Sequence, residues 1–429
     1  MKIVLIQPRV GHNTSYIHEP LGLGYIAAFL ILNGFKDVEI HIAAFEADRE
    51  IVSEAARAEL VGFTATSPMM KHAKALARQI KQANTKIVIA FGGAHPTSLP
   101  ENTLEDKNIN LVIRGEGEET IREVAQAIEK GESFSEVKGI SYRNGNKVIH
   151  CPDRGLIPDI DALPFPARNL MNQRKFLEIG YKKYGDRGAW IFSSRGCPYK
   201  CTYCASWRIW TRKWRARSPQ NIIKEIKGIV NDFDVDRINF ADDTFTISKK
   251  RVIEFCELLG REGLGIPWGC NVRADSVDKE LLETMRSAGC TDVWIGAESG
   301  SPLILDDIKK GIILPQIENA FKWSKEAGLK RRAYLMIGSR RESKETILQT
   351  EELVERARPD TLEFSILTPY PGSDDYERAK RGGYISEDVD WSGINLFSSA
   401  LIDTQYLTRD EVKGERARLA GKYKDYLRI

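Results

Sequence analysis

The sequence predicts an α/β protein: an N-terminal doubly wound, Rossmann-like parallel sheet, then a partial (βα)6 barrel, then a short C-terminal cap. Two separate series of strands alternating with helices carry that reading, and a proline-rich stretch divides them. In residues 1–130, KIVLIQ, DVEIHIA, ELVGFTA, TKIVIAFGG and NLVIRG read as strands. Amphipathic segments such as LGLGYIAAFLILN and MMKHAKALARQIKQAN lie between them, and such alternation implies a parallel sheet with helices on both faces. GISYRNGNKVIH (139–150) reads as a hairpin turning at Asn144-Gly145, which closes a first domain at residue 150. Residues 151–188, with Pro152, Pro158, Pro164 and Pro166, read as an extended linker ordered in part by Leu163 and Phe165.

The second series runs from 189 to 382. AWIFSS, RINFADD, PWGCNV, DVWIGAE, KRRAYLMIG and TLEFSILTP are the strands, each followed by a helix. The first helix opens with Ser218 as N-cap and Pro219 at its first position. Six βα units are too few to close an eight-stranded barrel, so an open barrel is expected. Its active face should lie at the C-terminal ends of the strands. Residues 383–429, with the charged segment TRDEVKGERARLAGKYKDYL, are expected to cover an edge or the mouth.

Composition narrows the function classes. Lys and Arg number 63 against 60 Asp and Glu, a balance of +3 that carries no general nucleic-acid signature. No apolar run approaches the roughly 20 residues of a membrane span. MKIVLIQPRVGHN is too short for a signal peptide and reads as a buried first strand, so the protein is expected in the cytoplasm. Its seven cysteines are then expected to be reduced, and clustered ones point to metal or redox chemistry.

The cluster is RGCPYKCTYCASW, in which Cys197, Cys201 and Cys204 are spaced C-x3-C-x2-C after the first barrel strand. Zinc would need a fourth Cys or His, and all six histidines lie at or before His150. Cys256, Cys270 and Cys290 stand singly on later barrel elements and read as buried apolar thiols. Simple packing of three cysteines fits poorly with a loop of Gly, Pro and Lys. Three thiolates suit three irons of a cubic iron–sulfur cluster, leaving the fourth iron open.

This motif at the end of the first strand of a partial barrel resembles the radical S-adenosylmethionine (SAM) superfamily. The resemblance implies a [4Fe–4S] cluster on Cys197, Cys201 and Cys204. Its open iron would chelate SAM, which electron transfer cleaves to methionine and a 5′-deoxyadenosyl radical. A ferredoxin or flavodoxin is the implied electron donor, and anaerobic conditions are expected. The resemblance also assigns expected SAM contacts. Tyr203 would pack near the adenine. NFADDTF, at strand two, would offer backbone carbonyls around Ala241, Asp242 and Asp243 to the amino group, although it lacks the common Gly-Gly-Glu form. Arg273 and Asp275 end strand three. Glu298 and Ser299 in GAESGS match the ribose segment, and Ile337 and Gly338 in YLMIGS the adenine position. For each charged residue the alternative is a salt bridge on the barrel rim.

The N-terminal sheet lacks G-x-G-x-x-G after its first strand, which argues against a nicotinamide site. A doubly wound domain ahead of such a barrel is similar to the cobalamin-binding radical SAM class. The matching segments place Tyr16, Pro20 and Gly22 after the first strand, then Thr66, Ser67, Pro68 and Met69, then Gly92, Gly93 and His95, then Gly115, Glu116 and Gly117. Small residues there let the backbone approach a corrin, and the loop before the helix at 118 suits polar tail contacts. No histidine stands in D-x-H-x-x-G, so cobalt's lower face is expected to meet Thr66–Met70 without a nitrogen ligand. His95 is then expected at the corrin periphery, or as a cap of its own turn. Met69 and Met70 read equally as core packing.

WRIWTRKWRAR (207–217) is the most basic stretch and allows a nucleic-acid reading by stacking and phosphate contacts. Packing beside the cluster loop fits better with the overall charge. The resemblance implies a cobalamin-dependent radical SAM C-methyltransferase that uses SAM both as methyl source and as radical source. The substrate would lie between barrel mouth and corrin, lined by Tyr334, Arg332, Glu363 and Tyr370. A protein residue, for example the glutamine of methyl-coenzyme M reductase, and a small natural product or lipid are both open as substrate. Two alternatives remain: a cobalamin-dependent rearrangement or cyclisation enzyme, and a zinc-stabilised RNA-binding protein.

Overall fold

The computed structural model describes residues 1–11, 19–386 and 389–427. Two compact units form. One comprises Met1–Phe176, Ala205–Thr211 and Asp388–Ile394; the other comprises Leu177–Cys204, Arg212–Glu387 and Asn395–Ile429.

The first unit is a seven-stranded sheet of β1 (Lys2–Gln7), β2 (Asp37–Ile42), β3 (Leu60–Thr64), β4 (Val88–Gly92), β5 (Leu111–Ile113), β6 (Ile140–Asn144) and β7 (Lys147–His150), ordered β2-β1-β3-β4-β5-β6-β7. The first five are parallel. Ile3, Val4, Leu5 and Ile6 are fully buried, the mark of a strand covered on both faces. The helix Met70–Ala83 lays Met70, Ala73, Leu76, Ala77 and Ile80 on the sheet at helical spacing. The chain leaves β1 for β2 on one side and returns to β3 on the other, which makes the β1/β3 boundary a switch point, the usual ligand crevice of such sheets. There the Gly11 amide donates to the Pro68 carbonyl (3.4 Å).

The hairpin extends this sheet as two antiparallel strands. Its turn lies one residue later than expected. Asn144 pairs with Lys147, so the loop is Gly145-Asn146, and Gly145 takes the left-handed conformation (φ +60°). The proline-rich segment is ordered against this unit as far as Phe176: the Ala167 amide donates to the Gly24 carbonyl (3.0 Å), and Met171 is buried. A Cβ on Gly24 would stand 2.2 Å from Met171 Sδ and 2.9 Å from Cβ of the rigid Pro166, so that close approach favours glycine. Residues 389–394, expected within the C-terminal cap, pack instead in the first unit. Lys71 pairs there with Asp390 (2.7 Å).

The second unit carries β8 (Gly188–Ile191), β9 (Ser194–Arg195), β10 (Arg215–Ala216), β11 (Arg237–Phe240), β12 (Trp268–Val272), β13 (Cys290–Glu298), β14 (Lys330–Ile337) and β15 (Thr361–Ile366). Six are parallel in the order β15-β14-β13-β12-β11-β8, each new strand beside the last, with β8 and β15 as edges; β9 and β10 form a short antiparallel pair. Side chains alternate across each strand. Ala189, Ile191, Ile238, Phe240, Val293, Ile295, Ala333, Leu335, Leu362 and Phe364 join the core under the helices. Phe240, Phe245, Phe255 and Trp268 interlock within it, with centroids 4.3–5.9 Å apart. Cys256, Cys270 and Cys290 are buried in that core, as expected. The helix Pro219–Asp232 starts as read, with the Asn221 amide donating to Ser218 Oγ (3.2 Å). The helix Arg409–Lys422 adds Val412 and Leu419 to the core, and the Ile366 amide donates to the Leu396 carbonyl at the β15 edge (2.6 Å). The C-terminal segment therefore covers an edge.

Candidate active site

Cys197, Cys201 and Cys204 lie on the loop that leaves β9, each partly buried and none in a disulfide. Gly196, at φ +88°, turns the chain into the loop. Three anchors hold its backbone. The Thr202 amide donates to the Ile308 carbonyl (3.0 Å), the Asp375 amide donates to the Thr202 carbonyl (3.0 Å), and Thr202 Oγ1 donates to Asp375 Oδ2 (2.8 Å). Arg212 donates to the Tyr199 carbonyl (2.6 Å), and the Arg273 guanidinium stacks on the Tyr199 ring at 3.6 Å. Burial pushes the Cys197 thiol above its ordinary range, and the nearby Asp243 and Cys201 charges add to that. Cys201 and Cys204 both act on the Tyr203 phenol, so the three sulfurs share one neighbourhood. Among the described residues, no three Cys, His, Asp or Glu side chains converge on a single ion. A donor set of three thiols, one to each iron, fits a cluster.

Beside the loop, Tyr203 donates to Glu298 Oε1 (3.0 Å), which also takes Lys310 Nζ (2.7 Å). A Cβ on Gly296 would lie 2.9 Å from both Glu298 Oε1 and Lys310 Nζ, so glycine makes room for the pair. Glu298 itself sits at φ +63°, a strained backbone for a non-glycine residue at the end of β13. Burial raises the Tyr203 phenol far above its usual range, and the Glu298 carboxylate pushes the same way. Lys310 carries no sequence signal, because it lies twelve residues from Glu298 and reaches it only through the fold.

The other expected SAM residues are placed as follows. Asp242 is buried and accepts from the Ser193 amide (2.7 Å) and from the hydroxyls of Ser193 and Ser194 (both 2.5 Å). Its carbonyl accepts from Asn271 Nδ2 (3.1 Å), and that of Asp243 accepts from Thr244 (2.7 Å). Two of the three backbone carbonyls expected around Ala241 are therefore already engaged. Arg273 grips Asp275 through Nε and Nη2 (2.8 and 3.0 Å) and also donates to the Lys310 carbonyl (2.7 Å). Ser299 turns into the packing against Thr350 (3.1 Å). Ile337 packs in the core, and Gly338, at φ +85°, donates its amide to Glu342 Oε2 (3.2 Å).

Arg332, Tyr334 and Glu363 come together on the concave face of the sheet, where Tyr334 pairs in register with Glu363. Arg332 Nη1 donates to the Tyr334 hydroxyl at 3.5 Å, and its guanidinium lies 5.5 Å from the Trp294 centroid. Burial raises both Glu363 and Tyr334, while Arg332 opposes that in each. Tyr370 stands apart, in the loop after β15, where burial pushes its phenol up to about 12.

In the first unit the expected cobalamin segments follow the C-terminal ends of β1, β3, β4 and β5; Tyr16 lies outside the described residues. Pro20 caps the helix Leu21–Leu32, in whose first turn Gly22 is exposed. Thr66 is exposed, Pro68 and Met69 are partly exposed, and Ser67 and Met70 are buried. Gly92 ends β4. Gly93, at φ +98°, would set a Cβ 2.9 Å from the Ala65 carbonyl, so only glycine fits. His95 is buried, bonded to Ser67 Oγ (2.9 Å), and held neutral because burial lowers it to about 4. The other described histidines are engaged as well: His41 with Glu46, His72 with Asp48, His150 with Glu101. Gly115, at φ +72°, lies beside the Ile209 carbonyl, and Gly117 beside Ile26. Glu116 accepts from the Ile157 amide (2.8 Å) and so fastens the proline-rich segment.

The basic stretch divides. Residues 207–210 form a short helix in the first unit, and Arg217 is buried against Glu225 and the Phe192 carbonyl in the second. Arg212 and Arg217 thus serve internal bonds.

Two family models match the chain: B12 binding domain over residues 9–125 and Radical SAM superfamily over residues 191–354. The chain is 33% identical over 400 residues to the uncharacterized methyltransferase PH0819 of Pyrococcus horikoshii, covering 88% of this chain and 83% of that protein. It is 31% identical over 390 residues to the anaerobic magnesium-protoporphyrin IX monomethyl ester cyclase of Rubrivivax gelatinosus, covering 87% and 69%. The fold matches the cobalamin-dependent S-adenosylmethionine radical enzyme OxsB with a TM-score of 0.79 at 19% identity, over 99% of this chain and 67% of that one. Nothing in these matches supports the zinc-stabilised RNA-binding alternative.

Proposed function

Because this chain belongs to the cobalamin-binding radical SAM family of methyltransferase type, we propose that it transfers a methyl group to an unactivated carbon of its substrate. The observation that carries the reading is the coexistence, in one chain, of a B12-binding sheet and a three-cysteine loop leaving a parallel barrel. Cys197, Cys201 and Cys204 would hold the cluster by one thiolate each. Tyr203, Glu298 and Lys310 form a rigid polar wall beside it, and Glu298 Oε2 remains available to a ribose hydroxyl. Thr66–Met70 would offer the corrin an uncharged surface, with His95 kept neutral and tied to Ser67. When bound, the cluster with SAM supplies radical chemistry and cobalamin supplies a transferable methyl group. The protein's own part is to position these groups and the substrate. Arg332, Tyr334 and Glu363 line the substrate space, with Tyr370 at its rim. A small iron–sulfur or flavin protein is the electron donor.

A second reading is favoured by the similarity to the cyclase of Rubrivivax gelatinosus. Anaerobic incubation of the reconstituted protein with SAM, cobalamin, reductant and cell extract separates the two. Label passing from the SAM methyl group into a product heavier by one methyl supports transfer. Deoxyadenosine release with an unlabelled, rearranged product supports the cyclase type. Absence of deoxyadenosine defeats both.

A further inference from the structure

The inner face of the six-stranded sheet is partly open to solvent on β14 and β15. On β14 and β15 the outward residues Ala333, Leu335, Leu362 and Phe364 are at most 3% exposed, whereas the inward Arg332, Tyr334, Thr361, Glu363 and Ser365 are all partly exposed. Alternation of this kind means that the helices seal one face while water reaches the other.

The floor of this face is fixed. Arg237 pairs with Asp292 (2.6 Å), and Asp292 accepts Trp294 Nε1 (2.9 Å), so the indole cannot rotate freely. Trp190 leans on it at 5.5 Å. Arg332 rests against this Trp294 shelf, yet among the described residues it makes no ion pair. Asp292 is already matched by Arg237, and Glu363 forms no bond to Arg332 within 4.0 Å. Among the described residues the Nε of Arg332 is buried without a hydrogen-bond partner, while its Nη1 donates to the Tyr334 hydroxyl at 3.5 Å. A buried guanidinium nitrogen left unpaired is costly, and such groups are normally matched.

We propose that Arg332, braced by Trp294 and assisted by the Tyr334 hydroxyl, binds a carboxylate or phosphate group of the substrate inside the barrel. The proposal rests on the reading of this barrel face as the substrate site. An anion is favoured over a cation because the guanidinium cannot lose its charge, whereas Glu363 can take up a proton and then donate to the same ligand. The planar fork of Arg332 matches either oxyanion in bidentate fashion. The Trp190–Trp294 wall suits an unsaturated or apolar body attached to that group.

The test is binding without turnover, on the full chain loaded with both cofactors under anaerobic conditions. Phenyl phosphate, benzoate and benzyl alcohol are titrated by calorimetry, and Arg332 is probed in parallel by phenylglyoxal with peptide mapping. One or both anions should bind at least roughly tenfold more tightly than the alcohol, since a charge-assisted bond is at stake. The same anion should shield Arg332 from phenylglyoxal, and Arg332→Gln should abolish its advantage. Preference for phenyl phosphate or for benzoate identifies the oxyanion. Equal binding of the alcohol, no anion binding by the wild-type protein, or an anion that leaves Arg332 open to phenylglyoxal overturns the proposal. The shielding measurement needs no variant, so misfolding of Arg332→Gln does not decide the matter. Failure of the family reading would show separately, as wild-type protein that releases no deoxyadenosine from SAM.

Discussion

Lys310 is the side chain that holds the wall beside the cysteine loop in place. It neutralises Glu298 at 2.7 Å and reaches the Tyr203 hydroxyl at 3.3 Å, with both ends of the ion pair largely buried. Lys310→Met leaves that carboxylate without its cation. Breaking a buried pair from one side costs about 3 kcal/mol or more, whereas removing both partners costs far less. Urea unfolding should therefore show Lys310→Met well below the wild type, and Lys310→Met combined with Glu298→Gln partly restored. Equal losses in the single and double variants would contradict the pairing.

Glu342 offers a pH-dependent test at a second residue. Its carboxyl is buried under the loop after β14, where it accepts from the Gly338 amide and from Thr346, and burial raises it from 4.5 to about 7. Below the unfolded value both states are protonated and nothing is lost. Between 4.5 and about 7 the unfolded chain releases the proton that the folded chain retains, so stability falls as pH rises and then levels off. The shift corresponds to roughly 3 kcal/mol. Glu342→Gln removes this term. Its stability relative to the wild type should improve between about pH 5 and about pH 8, as read by chemical unfolding at each pH.

Among loops and strands, the cysteine loop owes its shape to partners that arrive late in the chain. Asp375, at the start of the helix Asp374–Arg381, clasps Thr202 through both backbone and side chain. Asp375→Ala removes one buried hydrogen bond worth about 1–3 kcal/mol. The reconstituted cluster should then lose iron to a chelator several-fold faster than in the wild type, with helix content unchanged by circular dichroism. The aromatic knot on the sealed face is the second test. Phe240→Ala should lower unfolding stability by about 3–5 kcal/mol, because Phe245, Phe255 and Trp268 all lose a ring contact. The strands and the C-x3-C-x2-C loop were legible because β-branched runs, turn residues and cysteine spacing are local signals. The partners of that loop were not. Ile308, Lys310 and Asp375 lie more than a hundred residues downstream, and no local pattern distinguishes them from other charged or apolar residues. Trp190 and Trp294 were closer to hand. Each stands between aliphatic neighbours in a segment read as a strand, so alternation alone puts both on the face opposite the core.

The two units depend on chain segments far apart in sequence. The C-terminal helix completes the core beneath β15, and the segment 389–394 returns to the first unit, where Lys71 meets Asp390. Truncation before residue 396 should expose the β15 edge and its apolar underside, giving a protein that aggregates or melts well below the full chain in a thermal scan. Local chemistry was enough to dictate the two strand–helix series, the parallel pairing, the three-cysteine spacing and the absence of a D-x-H-x-x-G motif, since each is set by neighbours within a few residues. Which charges neutralise one another, which carbonyls remain available and which guanidinium nitrogen is buried without a partner depend on side chains brought together by the fold, some of them joined across 12 to 173 residues of chain. Only the folded packing could decide these, because desolvation and ion pairing act through space and leave no periodic trace in the sequence.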